Sequence, residues 1–454
     1  MGVKIYSTKT GIILFLLILL AILLLSVSRD INLGRQQWPS DLRNRVIGAR
    51  LQQAGKLPYF YVWDPADGLR FFDPVTCPPN GYPNAITASP FFHQLLYPLA
   101  GLNFHTIAIF WVWLQYLMLA AMIVLFCHLT EDRQKRMAIC AAGVLFTATQ
   151  AWKLLIVECQ MYLIVAFLMA VIATCILKKR RNYQILSGAC AAALMLIRPI
   201  APIIFLPFLF QYKKNSLFLA AAFVGVALYG LLVFTSPFEK RLWQDYIHAL
   251  HSHVAMHQGQ PTDFKKPTPC PPIDSLEGYR FSALDRELAH NPIPIYRENG
   301  NVFIVFSLLM KTHLPLVWLN LLSLMILSML SAFFFYFAKR HALPQTQYIV
   351  FGLTLYMLVE LFGPVIRQLY NIVQWFPIVL LSLLIIDKWK SLSFWLVVTG
   401  MFLGIFHISW ILMRHTLGEI CWLAASLLAA FTTPKINDDP AIQKKEPALR
   451  GGFL

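Results

Sequence analysis

The chain has 454 residues, 58% of them hydrophobic and only 13% charged, with the apolar residues gathered into long runs. A soluble fold has nowhere to bury such runs, so a polytopic membrane protein is expected. The net charge of +16 would suit nucleic acid in a soluble protein, but much of it lies in short connections between apolar runs. The positive-inside rule accounts for it there, and no nucleic-acid partner is expected.

In chain order, the apolar runs predict spans at residues 11–28, 105–128, 137–153, 159–177, 184–197, 199–210, 217–235, 315–338, 347–364, 371–386, 392–413 and 417–432. The fold class is therefore an all-α bundle of about twelve transmembrane helices, some of them short, in one membrane domain over residues 1–454. The first run has Lys4 and Lys9 before it and Ser26-Val27-Ser28 at its end, the outline of a cleaved signal peptide. Its length suits a span better, and it is expected to be retained. Basic clusters punctuate alternate connections: Arg133, Lys135 and Arg136; KKRR at 178–181; Lys213 and Lys214; Lys339 and Arg340; Lys388 and Lys390. These connections are expected on the cytoplasmic side, with both termini and a tail over 433–454.

The segment ILSGACAAALMLIRPIAPIIFLPFLF, residues 185–210, has basic clusters on both sides and must enter and leave by one face. Its halves meet at Arg198, Pro199 and Pro202, where proline ends a helix, so a broken hairpin with an arginine at its tip is expected. A charge at membrane depth is tolerated where it lines a cavity or is buried in protein, which makes Arg198 a candidate site residue.

Two hydrophilic loops, residues 29–104 and 236–314, fall outside the membrane by parity and are expected to fold as a lid over the outer face. Six of the eight cysteines lie in or beside apolar runs, as small hydrophobic side chains do. Cys77 and Cys270 fall one in each outer loop and are expected to form a disulfide clamping the loops together. No CxxC or CxxH spacing accompanies either, so no metal site is expected from them.

The first loop carries SDLRNRVIGARLQQAGKLPY, residues 40–59, which reads as a short amphipathic helix stopped at Gly55. Asp41 is the lone acid at its head, where helix capping is the plain explanation. Arg43, Arg45, Arg50 and Lys56 make a polar face suited to lipid headgroups. Further polar residues collect at the same outer level: Lys153, Glu158 and Gln160, then Arg367, then Arg414 and His415. Each alone reads as an interfacial anchor; together they would suit a cavity for an anionic lipid ligand. The second loop contains HALHSHVAMH with His248, His251, His253 and His257. These could bind zinc, hydrogen-bond a phosphate or sugar hydroxyl, or face solvent; without an HExxH pattern, hydrogen bonding is favoured over metal.

Three segments carry a family resemblance. SDLRNRVIGARLQQAGKLPYFY is similar to a first outer loop with an aspartate, a helix and a Gly-x-x-Pro-Tyr turn; SPFFHQLLYPL (89–99) is similar to an aromatic and proline segment leading into a span. ECQMYLIVAFL (158–168), a basic loop, then SGACAAALMLIRPIAP (187–202) is similar to a Gly-Gln-x-Asn span followed by a basic residue and prolines. Together they resemble glycosyltransferase family 87, membrane mannosyltransferases of GT-C fold that take sugar from a polyprenyl phosphate. Cys159 stands where the family has glycine, Tyr162 where it has asparagine, and Arg198 where lysine is common.

The resemblance implies an inverting transfer of a single sugar, mannose or similar, to a lipid-linked or glycan hydroxyl at the extracytoplasmic face of a bacterial plasma membrane. It implies Asp41 as general base. Arg198, Arg367, Arg43, Glu158, Gln160 and one or more of His251, His253 and His257 are then candidates for the donor phosphate and substrate. One base and a phosphate leaving group suffice, no DxD motif is present, and no cofactor is called for. Two other readings stand beside it: an O-antigen ligase or polymerase using a diphosphate-linked oligosaccharide, and a transporter or lipid flippase.

Overall fold

The structure is a computed structural model that describes residues 9–36, 40–73, 86–178, 180–257, 263–265, 301, 316–363, 367–386, 389–406, 408, 411 and 413–432. Its described regular elements are all helical. Cys77, Cys270, most of the second outer loop beyond residue 257 and the tail from 433 lie outside the described residues, as does the side chain of His257.

Each predicted span contains helix. Thr10–Gly34, Phe104–Cys127, Tyr212–Thr235 and Asn320–His341 are long and apolar enough to cross a membrane. Arg133–Thr147 and Gln150–Val157, bent by 57° at a short break, make a fifth if counted as one span. The helices in the other predicted spans have at most 17 residues, below the roughly 20 that a bilayer asks of a straight helix. By length and composition, four or five helices among the described residues meet that requirement, against the twelve spans expected.

The first helix, α1 (Lys9–Gln36), runs past its predicted end at 28 and carries Arg29 and Asp30 with it. Asp30 is fully buried and accepts from Arg29 Nε at 2.8 Å, Tyr116 Oη at 2.6 Å and Trp152 Nε1 at 2.8 Å. A buried carboxylate with three donors is a satisfied structural group. It ties α1 to α4 (Phe104–Cys127) and α6 (Gln150–Val157), leaving α2 (Ser40–Gln53) to begin just beyond.

Two further outer-loop or connecting helices matter below: α3 (Pro90–Leu95), capped by Ser89 Oγ accepting from Phe92 N–H, and α5 (Arg133–Thr147). The chain then forms α7 (Tyr162–Leu177), α8 (Arg181–Ile197), the short α9 (Leu206–Leu209), α10 (Tyr212–Thr235) and α11 (Pro237–His257). Helix α8 stops at Arg198, whose backbone is extended (φ −129°, ψ 96°); a 3-10 segment, Ala201–Phe205, follows. Pro199 and Pro202, both just after Arg198, explain the stop, since they remove amide donors and crowd the preceding turn. Helices α8 and α10 lie close because Gly188 has no Cβ, which would otherwise sit 2.5 Å from Ala221 Cβ.

The last described helices are α12 (Leu316–His341), α13 (Gln345–Leu361), α14 (Phe376–Ile385, entered through a 3-10 segment Leu369–Trp375), α15 (Leu392–Ile405) and α16 (Arg414–Ala430). Helix α13 is buried on nearly every face and lies at the centre of the core. The described parts of the two long loops touch: the Phe60 ring lies 4.7 Å from His248 and 5.2 Å from Phe264, and Gln94 Nε2 donates to Glu239 Oε2 at 3.2 Å.

Candidate active site

Helix α2 sorts its polar residues by spacing. Asp41, Arg45, Gly48 and Gln52 recur every three or four residues and share one face. Arg43 and Arg50 lie on another, where their guanidinium carbons sit 4.3 and 4.4 Å from the Phe104 ring centroid. Arg50 also donates to the carbonyls of Ala100 (2.8 Å), Arg70 (3.1 Å) and Leu102 (2.8 Å). Arg43 therefore belongs to the packing of α2 onto α4 and is set apart from the Asp41 face. The helix ends at Gly55, whose φ of 69° lets Lys56 N–H return to the Leu51 carbonyl at 2.9 Å.

Asp41 lies in the first turn of α2, half-buried, with Arg45 one turn on and the Tyr370 hydroxyl beside it. Burial pushes its carboxyl above the usual carboxylate range, while the Arg45 charge and the Tyr370 hydroxyl pull it partly back. Arg45 Nη2 donates to Gln160 Oε1 at 2.8 Å. Gln160 is fully buried, and its carbonyl accepts from Trp111 Nε1 at 3.3 Å and Gln115 Nε2 at 2.8 Å. Its position depends on the turn between α6 and α7, where Cys159 has φ 44°, a left-handed backbone that suits glycine. Cys159→Val, which branches the Cβ on that backbone, is expected to lower the melting temperature in detergent, whereas Cys159→Gly, which relieves a left-handed cost of about 1–2 kcal/mol, should hold or raise it.

From Asp41 the contacts continue inward. The Tyr370 ring stacks on Tyr162 at 5.5 Å, and the Arg198 guanidinium lies 5.4 Å from the Tyr162 centroid. An aromatic pair thus links the carboxylate to the arginine at the hairpin break. Arg198 is paired with Glu360 on α13, yet its side chain remains 22% exposed and its Nε has no hydrogen-bond partner among the described residues. Arg367 is 1% exposed; it reaches Glu360 at 3.4 Å and Glu419 at 2.6 Å. Trp375 Nε1 also donates to Glu419, at 2.6 Å. Arg198, Glu360, Arg367 and Glu419 form one ladder of alternating charge, buried at its Arg367–Glu419 end.

The remaining candidates are dispersed. Glu158 is half-buried at the end of α6, next to the turn that holds Gln160. On α11, His251 is exposed, and His253 is half-buried two turns beyond the buried Tyr246. His248 pairs with Asp263 at 2.8 Å. Among the described residues, no group of three His, Cys, Asp or Glu side chains is placed to hold a metal ion.

The sequence reading passed over Glu360 and Glu419. Both are lone acids inside apolar runs, a visible signal for a buried or functional charge. It also missed Tyr162 and Tyr370 as a bridge and His93 as a neighbour of α2. Aromatic residues in an apolar chain give no such signal.

Among the described residues the chain is all-helical, with four or five helices long and apolar enough to cross a membrane and a cluster of acids, arginines and aromatic rings between helices. The model of glycosyltransferase family 87 matches residues 87–265, somewhat under half of the chain, and indicates a glycosyltransferase. The match includes α3, the Cys159–Gln160 turn, Arg198 and the α11 histidines; Asp41, Glu360, Arg367 and Glu419 lie outside it. No curated protein and no solved structure matches the chain.

Proposed function

We propose that the protein transfers a single sugar, mannose or a similar hexose, from a polyprenyl phosphate to a hydroxyl of a lipid-linked or glycan acceptor at the extracytoplasmic face of the membrane. What carries the reading is the line of contacts from Asp41 through Tyr370 and Tyr162 to Arg198. It sets one carboxylate and one partly unsatisfied arginine on either side of an aromatic pair of the kind that sugar rings pack against.

In this reading Asp41 takes the proton of the acceptor hydroxyl as that oxygen attacks the anomeric carbon. The bond from that carbon to the phosphate oxygen breaks, its electron pair leaves on the polyprenyl phosphate, and the configuration inverts. Arg198 hydrogen-bonds the departing phosphate, while Glu360 keeps the guanidinium oriented. Arg367 acts as a positioning residue, holding Glu360 from the other side. His253 and Glu158 are second-rank candidates for contact with the substrate.

The donor class is tested by presenting purified protein in nanodiscs with polyprenyl-phosphate mannose, polyprenyl-phosphate glucose and a polyprenyl-diphosphate oligosaccharide. Transfer from a monophosphate donor alone is the expected result. Transfer only from the diphosphate donor would replace this reading with that of a ligase or polymerase, and lipid or sugar movement without bond formation would replace it with that of a transporter.

A further inference from the structure

Beyond Asp41, the face of α2 that carries it continues through Arg45 and Gly48 to Gln52, a stripe about 16 Å long at 1.5 Å per residue. Two residues from elsewhere meet it: Gln160, held by Arg45, and His93 on α3, which lies so close over Gly48 that a Cβ there would be 2.5 Å from His93 Nε2. Gln52 is 4% exposed, while His93 and Gln160 are fully buried. Six polar atoms along this stripe have no hydrogen-bond partner among the described residues: Arg45 Nη1, Gln52 Nε2 and Oε1, His93 Nδ1 and Nε2, and Gln160 Nε2.

Buried polar atoms are almost always bonded, and an unmade bond costs about 1–3 kcal/mol. Several such atoms on one face therefore call for a common partner. Their chemistry defines it. Two amides offer donors and acceptors without charge. Burial and the nearby Arg45 charge push His93 down to about 3, so its ring is neutral, one nitrogen donating and the other accepting. A phosphate wants several charged donors; a sugar hydroxyl, which both donates and accepts, matches neutral amides and imidazole. Asp41 and Arg45 are half-buried and Gln52 is buried, so the stripe is accessible at its Asp41 end.

We propose that Arg45, Gln52, His93 and Gln160, with Gly48 giving His93 its close approach to α2, form a subsite that binds the hydroxyls of a sugar ring next to Asp41. The subsite rests on the glycosyltransferase reading for its role and on the buried, unpartnered atoms for its ligand. The sugar could belong to the donor or to the acceptor, and kinetics separate the two.

Gln52→Leu keeps the volume and removes both orphan atoms. Its KM for one substrate is expected to rise tenfold or more, with most of the loss in kcat/KM falling on KM. A rise for polyprenyl-phosphate mannose assigns the subsite to the donor sugar; a rise for the acceptor assigns it to the acceptor sugar. The melting temperature should stay at or above the wild-type value, because leucine removes an unsatisfied buried amide. A purely structural glutamine would instead lower the melting temperature and leave both KM values alone. A second readout needs no transfer: free mannose at high concentration should raise the melting temperature of the wild type but not of Gln52→Leu, and inorganic phosphate should raise neither. If mannose protects in this way but polyprenyl-phosphate mannose is not a donor, the subsite stands and the proposed reaction falls. If transfer occurs and neither KM nor protection depends on Gln52, the subsite is wrong.

Discussion

Asp41→Asn is expected to lower sugar transfer by 10²–10⁴-fold, the usual contribution of a positioned general base, while the protein folds as well as the wild type. The two halves share one cause. Burial raises the Asp41 pKa, so the folded protein favours the protonated carboxyl. With the folded value above the unfolded one, the group's contribution to stability is fully present below the unfolded pKa and is lost as pH rises through the folded pKa. Above that pH the ionised carboxylate is a burden on the fold, and asparagine removes it. The variant should therefore melt at the same temperature as the wild type or higher at neutral pH. The same shift sets the rate profile. In the wild type kcat/KM should fall with a slope of one as pH drops through a value above that of an ordinary carboxylate. A profile flat down to the usual carboxylate range, or an Asp41→Asn variant that transfers sugar normally, would remove Asp41 from the base role. Asp30 makes a sharp control: it is buried nearby in sequence but already holds three donors, so its loss should appear in stability.

Glu419→Ala is expected to destabilise the protein by about 3–5 kcal/mol, the cost of leaving a buried charge without its partner. Glu419 is completely buried and accepts from Arg367 Nη2 at 2.6 Å, Arg367 Nε at 3.1 Å and Trp375 Nε1 at 2.6 Å. Without it, Arg367 keeps, among the described residues, the ion pair with Glu360 at 3.4 Å. The loss would be read as a drop in melting temperature and in monodisperse yield after detergent extraction. The double variant Glu419→Leu with Arg367→Met should recover much of it, because removing both charges removes the desolvation penalty along with the attraction. If Glu419→Ala melts with the wild type, the ladder is not a stabilising element. The double variant tests a further point: with Arg367 gone, Glu360 keeps Arg198 as its cation among the described residues, and a fall in turnover at restored stability would mark Arg367 as a positioning residue.

What could be read from the sequence follows from what is local. Apolar runs show up in hydropathy, so a helix lies in each predicted span; the stop at Arg198 follows from Pro199 and Pro202, and the end of α2 from Gly55. Asp41 stands out because it is the one acid in a basic segment. The site's organisation depends on contacts between distant segments. Arg45 meets Gln160 across 115 residues and Arg367 meets Glu419 across 52, and no local pattern encodes either pairing. Arg43 and Arg45 look alike in sequence; two positions of helix rotation send one onto Phe104 and the other to Asp41. Four or five of the twelve expected crossings have helices of bilayer length among the described residues, since proline and 3-10 segments divide apolar runs into shorter helices. The proposed Cys77–Cys270 disulfide lies outside the described residues.

The central claim is tested most directly by incubating purified wild type and Asp41→Asn in nanodiscs with radiolabelled polyprenyl-phosphate mannose and a lipid extract as acceptor. The wild type should move label to the acceptor and release one polyprenyl phosphate per sugar transferred, while the equally folded Asp41→Asn stays at background. Donor consumption at the same rate by both proteins, or by neither, would contradict the account.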